Sequence, residues 1–341
     1  MGSLTTRRTF NKRLLLLGAT VAAPAVYSRP LRAAEFNYKY ANNSPASWPM
    51  NTRAREAAEK IKQETGGRLE ISVFPNNQLG GDTDMLTQLR SGAIEFFTLS
   101  GLILSTLVPS ASISGVGFAF EDYAHVWGAM DGDVGNFVRS QIAKVGLVAM
   151  EKMLDNGYRH ITSSTKPIRS PEDLKGFKIR VQISPLSMAI FKSFGASPTG
   201  INWNEVYTAL QTKIVDGQEN PLSIIEAAKI YEVQKYCSLT GHVWDGFHFL
   251  ANRRAWEALP EDVSEIARNN LNAMALAQRA DMRAANEAAR GVLEKSGVAF
   301  NDVAREQFRS VLRTSGFYSD WQQRYGKEAW AMLEKYSGPL G

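Results

Sequence analysis

Apolar residues recur along this chain with two different periods, and the alternation between them outlines its elements. Phe36, Tyr38 and Tyr40 alternate with polar neighbours, which predicts a strand. Ala54, Ala57, Ala58 and Ile61 fall on one helical face, with Thr52 as its cap and Gly66-Gly67 as its stop. Leu69, Ile71 and Val73 alternate again up to Pro75. A second helix starts at Asp82 or Thr83, runs through Met85, Leu86 and Leu89, and closes at Gly92; residues 94–99 then read as a third strand. Strand, helix, strand, helix, strand in this order predicts a mostly parallel sheet covered by helices, an α/β fold.

The same grammar restarts near Gly157. Ser170-Pro171-Glu172-Asp173 is a helix start, and Phe177, Ile179 and Val181 alternate with Lys178, Arg180 and Gln182 as a strand with one apolar face. Residues 187–194 and 203–211 read as helices, 214–219 as a strand, and 221–228 as a further helix. Residues 261–296 form one uninterrupted helical pattern, roughly 50 Å long at 1.5 Å per residue. That exceeds one small domain, so the helix is expected to brace two. No Pro- or Gly-rich linker separates the halves, so ordered strands near 147–153 and 247–252 are expected to make the crossing. The resulting division assigns 35–153 with about 246–280 to one lobe. It assigns 154–245 with about 281–341, including the region of Trp321, Tyr325 and Trp330, to the other.

The N-terminus changes the reading of charge. Arg7 and Arg8 precede an apolar stretch over 14–26 and small residues at Ala33 and Ala34, the layout of an export signal over 1–34. The segment Thr6-Arg7-Arg8-Thr9-Phe10-Asn11-Lys12 resembles a twin-arginine signal, with Asn11 where leucine is usual. The whole chain carries 39 basic and 34 acidic residues, a net +5. Six of the basic residues and none of the acidic ones lie in 1–34, so the remainder has 33 against 34, a net of −1. No clustered basic face remains for a nucleic acid, and none is expected as a partner. Cys237 is the only cysteine, which excludes an intramolecular disulfide and a cysteine-based metal cluster.

Catalytic signatures are sparse. There is no His-Glu-x-x-His zinc site and no Gly-x-Ser-x-Gly elbow. Gly115-Val116-Gly117 is a fragment of a dinucleotide fingerprint, since position 120 is Phe. The histidines at 125, 160, 242 and 248 are scattered, and His242 reads as structural. These features favour a binding protein over the alternative, a secreted enzyme acting on an organic acid, and predict neither cofactor nor metal.

Several stretches together carry a family resemblance. They are Phe74-Pro75-Asn76-Asn77-Gln78-Leu79-Gly80-Gly81-Asp82; Asp173-Leu174-Lys175-Gly176-Phe177-Lys178-Ile179-Arg180-Val181; Gly195-Ala196-Ser197-Pro198; residues 205–211 followed by Val215-Asp216-Gly217-Gln218-Glu219-Asn220-Pro221; and Tyr231-Glu232-Val233-Gln234-Lys235-Tyr236. In order and spacing, from about residue 35 to the end, the chain resembles the DctP-type solute receptors of tripartite ATP-independent periplasmic (TRAP) transporters. The resemblance implies two α/β lobes that close on a small organic carboxylate, a periplasmic location, and a membrane permease as partner. A membrane sensor is the alternative partner, and a monomer is expected.

The resemblance also implies that Arg180 pairs with the ligand carboxylate. Its place near the C-terminal end of a strand, and the planar fork of arginine, agree with that role. Asn220, ahead of Pro221, is expected in the cleft or as a helix cap. Arg159 is expected to hold the ligand or to form an interlobe salt bridge. Asp84 is expected to reach the cleft or to serve its helix terminus. Trp244 and Phe247 are expected to wall the ligand body or to fill the core. These two aromatics favour an aromatic or arylalkyl acid, ahead of a C4-dicarboxylate or sugar acid. Gln182 stands where the family often has proline.

Overall fold

The computed structural model describes residues 34–341. The export signal expected over 1–34 therefore falls, but for its last residue, outside the described residues. The strands are β1 (Phe36–Ala41), β2 (Leu69–Phe74), β3 (Phe96–Ser100), β4 (Leu147–Ala149), β5 (Leu154–Ser163), β6 (Lys178–Val181), β7 (Ser197–Gly200), β8 (Gly217–Asn220), β9 (Tyr236–Asn252) and β10 (Ala299–Asp302). The helices are α1 (Pro49–Glu64), α2 (Asp82–Ser91), α3 (Gly101–Leu104), α4 (Tyr123–Asp131), α5 (Asp133–Lys144), α6 (Pro185–Ser193), α7 (Val206–Gln211), α8 (Leu222–Ala227), α9 (Arg253–Glu257), α10 (Glu261–Lys295), α11 (Arg305–Thr314), α12 (Phe317–Tyr325) and α13 (Lys327–Ser337).

Local chemistry explains most of these boundaries. α1 begins four residues earlier than the Thr52 cap predicts, with Trp48 in the cap position, because Pro49 occupies its first turn with φ already set for a helix. The stretch after Ser170 is a single turn over Pro171–Leu174, closed by a capping box between Ser170 and Asp173. Ser184 caps α6, accepting from the Ser187 backbone N–H.

The strands form one mixed sheet in the order β2-β1-β3-β9-β5-β8-β6-β7, with β4 and β10 also paired to β9. β1–β2, β1–β3, β6–β7, β6–β8 and β9–β10 are parallel; the pairings of β9 with β3, β4 and β5, and of β5 with β8, are antiparallel. Two lobes meet on the 17-residue β9. Its C-terminal part pairs with β3 and β4 in the first lobe, and its N-terminal part with β5 and β10 in the second. The second crossing strand is β5, slightly later than 147–153. Its register against β9 shifts twice, between Asp155 and Gly157 and between Arg159 and Ile161. Bulges of this kind bend a strand and re-aim its side chains. Gly157 sits at φ 123°, and a Cβ there would stand 2.7 Å from Nδ2 of Asn286 on α10, so only glycine fits this bend.

Helix α10 is 35 residues long, as its pattern predicts, and braces both lobes. Val263, Leu271, Met274 and Met282 pack with Tyr40, Phe96 and Phe249 of the first lobe, whereas Ala289 and Leu293 pack with Val206, Ile225 and Cys237 of the second. The C-terminal helices α11 to α13 lie against α4 and α5 on one side and α6 on the other.

Candidate ligand-binding cleft

Parallel strands present their carboxyl ends to one edge of the sheet, and here the adjacent strands β6 and β8 carry Arg180 and Asn220 into one cleft, Arg180 pairing with Gln218 two residues before Asn220. From the first lobe, the turn after β1 contributes Asn43 and the first turn of α2 contributes Asp82. Asn156 and Phe247 come from the two crossing strands, and Gln182 and Trp203 from the loops after β6 and β7. Ile103 and Ile224 complete the wall. The cleft between these groups is nearly shut: the space open to a water centre is about 20 Å³, enough for a water molecule and too small for an organic acid. Asn202 of the second lobe donates to Thr83 Oγ1 of the first at 3.2 Å, a contact that spans the opening.

Arg180 is only 2 % exposed, yet among the described residues it has no carboxylate partner. Its Nε and Nη2 donate to the Ile201 carbonyl at 3.0 and 2.7 Å, its guanidinium lies 5.7 Å from the Trp203 ring centre, and Nη1 is left without a hydrogen bond. Burial, reinforced by the charge of Arg159, pulls its pKa down to about 10, so it stays cationic at neutral pH. A buried, charged and half-engaged guanidinium is a site for an anion.

Arg159 is arranged differently. It is wholly buried, and its guanidinium donates to both carboxylate oxygens and the carbonyl of Glu219 and, at 3.0 Å, to Asp245 Oδ2. Burial alone would lower its pKa, but the two carboxylates override that and raise it. Burial likewise opposes ionisation of Glu219, and Arg159 outweighs it, holding the acid down to about 2. Asp245 gathers the surrounding polar groups: Oδ1 accepts from Ser100 at 2.7 Å, and Oδ2 accepts from Asn156 Nδ2 at 3.0 Å and Gln182 Nε2 at 3.1 Å as well as from Arg159. Arg159 therefore sits in an ion-pair network joining β5, β8 and β9, behind the lining of the cleft.

Two further expected residues stand apart from the lining. Asp84 turns back to accept from the Gly81 backbone N–H at 3.1 Å and closes the N-terminus of α2, while its neighbour Asp82 faces the cleft. Trp244 lies in the core, donating to Asp155 at 2.8 Å and meeting Trp127 edge-on at 5.2 Å. Its ring fills the space where Gly246 lacks a Cβ. The structure thus brings Arg180, Asn220 and Phe247 together and adds Asn43, Asp82, Asn156, Gln182 and Trp203. For Asn43 and Gln182 the sequence carried one faint signal, a polar residue just after a strand; for Asp82, Asn156 and Trp203 it carried none. Nothing local separates Asp82 from Asp84, since both occupy the same first turn. Among the described residues, no three His, Cys, Asp or Glu side chains are grouped to hold a metal ion.

Two α/β lobes joined by crossing strands, braced by one helix and enclosing a buried cation, define a ligand-capturing receptor. The chain belongs to the DctP family, the bacterial extracellular solute-binding proteins of family 7, which it matches over residues 40–316. It is 31 % identical over 300 residues to the C4-dicarboxylate-binding periplasmic protein DctP of Rhodobacter capsulatus, covering 87 % of each chain. It is 38 % identical over 263 residues to the uncharacterized protein y4mM of Sinorhizobium fredii, 76 % of this chain and about half (48 %) of that one. Its fold is similar to that of a TRAP periplasmic solute-binding protein from Polaromonas sp. JS666 bound to D-erythronate. The TM-score is 0.84 at 29 % identity, over 88 % of this chain and 98 % of that one. The protein is therefore a solute-binding protein and not an enzyme.

Proposed function

We propose that the protein captures a small organic carboxylate between its lobes and delivers it to a TRAP-type membrane permease, Arg180 receiving the carboxylate. The observation that carries this reading is the buried guanidinium, which forms no salt bridge among the described residues and leaves Nη1 without a hydrogen bond. In this reading Asn220 stands beside the carboxylate at the start of α8, and Phe247 and Trp203 contact the ligand body. Arg159 acts indirectly, holding Glu219 and Asp245 in the network behind Arg180. Asp84 acts by shaping the helix terminus that carries Asp82. Export by the twin-arginine route, a monomeric state, and lobes divided at 153/154 and 245/246 belong to the same proposal.

An aromatic or arylalkyl ligand has weaker support in this reading, since Phe247 and Trp203 are the only aromatic side chains of a mostly polar lining and Trp244 lies in the core. Calorimetry tests the main reading. The protein is expected to bind acids and not the corresponding amides, and Arg180→Lys, which keeps the charge and loses the fork, is expected to weaken binding roughly tenfold to a hundredfold. Equal affinity for an acid and its amide, or an unchanged affinity in the folded variant, refutes it.

A further inference from the structure

The cleft carries a second chemical feature besides its cation. Asp82 Oδ2, Asn156 Oδ1 and Gln182 Oε1 are all buried and, among the described residues, all lack a hydrogen-bond partner. All three belong to residues that line the same cleft. Buried polar atoms are rarely left unpaired, and three in one place ask for the groups that satisfy them. Each of the three is an acceptor. The orientation of the two amides follows from the network behind them, because both nitrogens must donate to Asp245 at 3.0 and 3.1 Å, which turns both oxygens forward. Asp82 is oriented in the same way: Oδ1 accepts from Asn43 at 2.9 Å and leaves Oδ2 over. The Trp203 backbone N–H leans toward this carboxylate without reaching hydrogen-bond geometry. The Asn220 nitrogen is likewise occupied, donating to Gln218 at 2.5 Å.

From this arrangement we infer that the ligand is a polyhydroxylated monocarboxylate, and that Asp82 is the residue that accepts a ligand hydroxyl and rejects a second carboxylate. The inference rests on Arg180 as the carboxylate site. One guanidinium is available, since Arg159 is neutralised by Glu219 and Asp245. Hydroxyls on the carbon chain supply the donors that the three acceptors lack. A dicarboxylate would place its far anion among acceptors, one of them an acid, with no second cation to meet it. Like charges and unpaired acceptors at one point discriminate strongly, because the wrong ligand is penalised twice.

The test is calorimetry at neutral pH with D-erythronate, D-gluconate, butyrate and succinate, on the wild-type protein, Asp82→Asn, Asp82→Ala and Arg180→Lys, each verified as folded by circular dichroism. The wild type is expected to prefer the better hydroxy acid over butyrate and over succinate by roughly tenfold or more. Asp82→Ala is expected to weaken the hydroxy acid, and Asp82→Asn to narrow its advantage over succinate by a similar factor. If succinate or butyrate binds the wild type as tightly as the hydroxy acids, or if the hydroxy acid to succinate ratio is the same in wild type and Asp82→Asn, the inference is overturned while the carboxylate reading stands. If none of the four acids binds, or Arg180→Lys changes nothing, the carboxylate reading itself falls and takes this inference with it.

Discussion

Asp82 shows how a binding residue differs from a stabilising one. It is 1 % exposed, and burial, only partly relieved by Asn43 and the charge of Arg180, raises its pKa from 3.8 to about 6. The sign of the consequence follows from proton counts. Between about pH 4 and 6 the folded protein keeps a proton on Asp82 that the unfolded chain has lost, so stability falls as pH rises through this window and stays lowered above it. The upper bound on the penalty at neutral pH is about 3 kcal/mol. Asp82→Asn is therefore expected to raise the melting temperature of the ligand-free protein at pH 7.5, with the gain fading at pH 4, while weakening ligand binding. A variant equally stable or less stable than the wild type at pH 7.5 would show that Asp82 is satisfied without ligand. The same opposition of stability and binding applies to Arg180, which is buried without a salt bridge and gains one only when an anion arrives.

At the scale of elements, the two crossing strands do more than connect. β5 and β9 carry Arg159 and Asp245, β8 carries Glu219, and the network they form ties Ser100 of β3 to Gln182 beyond β6 through a single carboxylate. Removing the cation from this network leaves two buried carboxylates facing each other. Such a loss costs about 3–5 kcal/mol. Arg159→Met, which keeps most of the volume, is expected to lower the urea midpoint accordingly. It is also expected to weaken ligand binding less than Arg180→Lys at a temperature where both are folded. A loss of affinity in Arg159→Met greater than that in Arg180→Lys would place Arg159 in direct contact with the ligand. The bulges that break the β5–β9 register, one of them requiring Gly157, give this pair of strands the local irregularity at which bending concentrates.

The whole molecule is closed as described, with Asn202 reaching Thr83 across the mouth and room inside for little more than water. Entry of an acid therefore requires the lobes to separate, and binding shifts an open–closed equilibrium toward the state that makes more ligand contacts. Small-angle scattering is expected to show a smaller radius of gyration at saturating ligand than without it. Identical curves would mean a rigid body and would remove change of shape as the signal read by a permease. The two ends of helix α10 belong to different cores, so it is expected to pivot or flex if the lobes part.

Much of this was legible in the chain itself. Periodicity is a local property, so β1 to β3, β6 and the 35-residue α10 follow from alternation and helical spacing alone. Their order implies the α/β architecture, and the segments around Lys175–Val181 and Gly217–Pro221 point to Arg180 and Asn220. Tertiary structure decided which of several equivalent residues do what. Asp82 and Asp84 share one helical turn, and only the tertiary structure sets one against Asn43 in the cleft and the other onto its own backbone. Arg159 and Arg180 look alike in sequence, and their roles diverge because Glu219 and Asp245 converge on the first alone. Trp244 and Phe247 lie three positions apart on β9, so strand alternation puts them on opposite faces, and the tertiary packing makes one face core and the other cleft. The physical reason is common to all three pairs. Local sequence determines backbone conformation, whereas whether a polar or aromatic side chain finds its partner within the protein or waits for a ligand depends on groups brought together from distant parts of the chain.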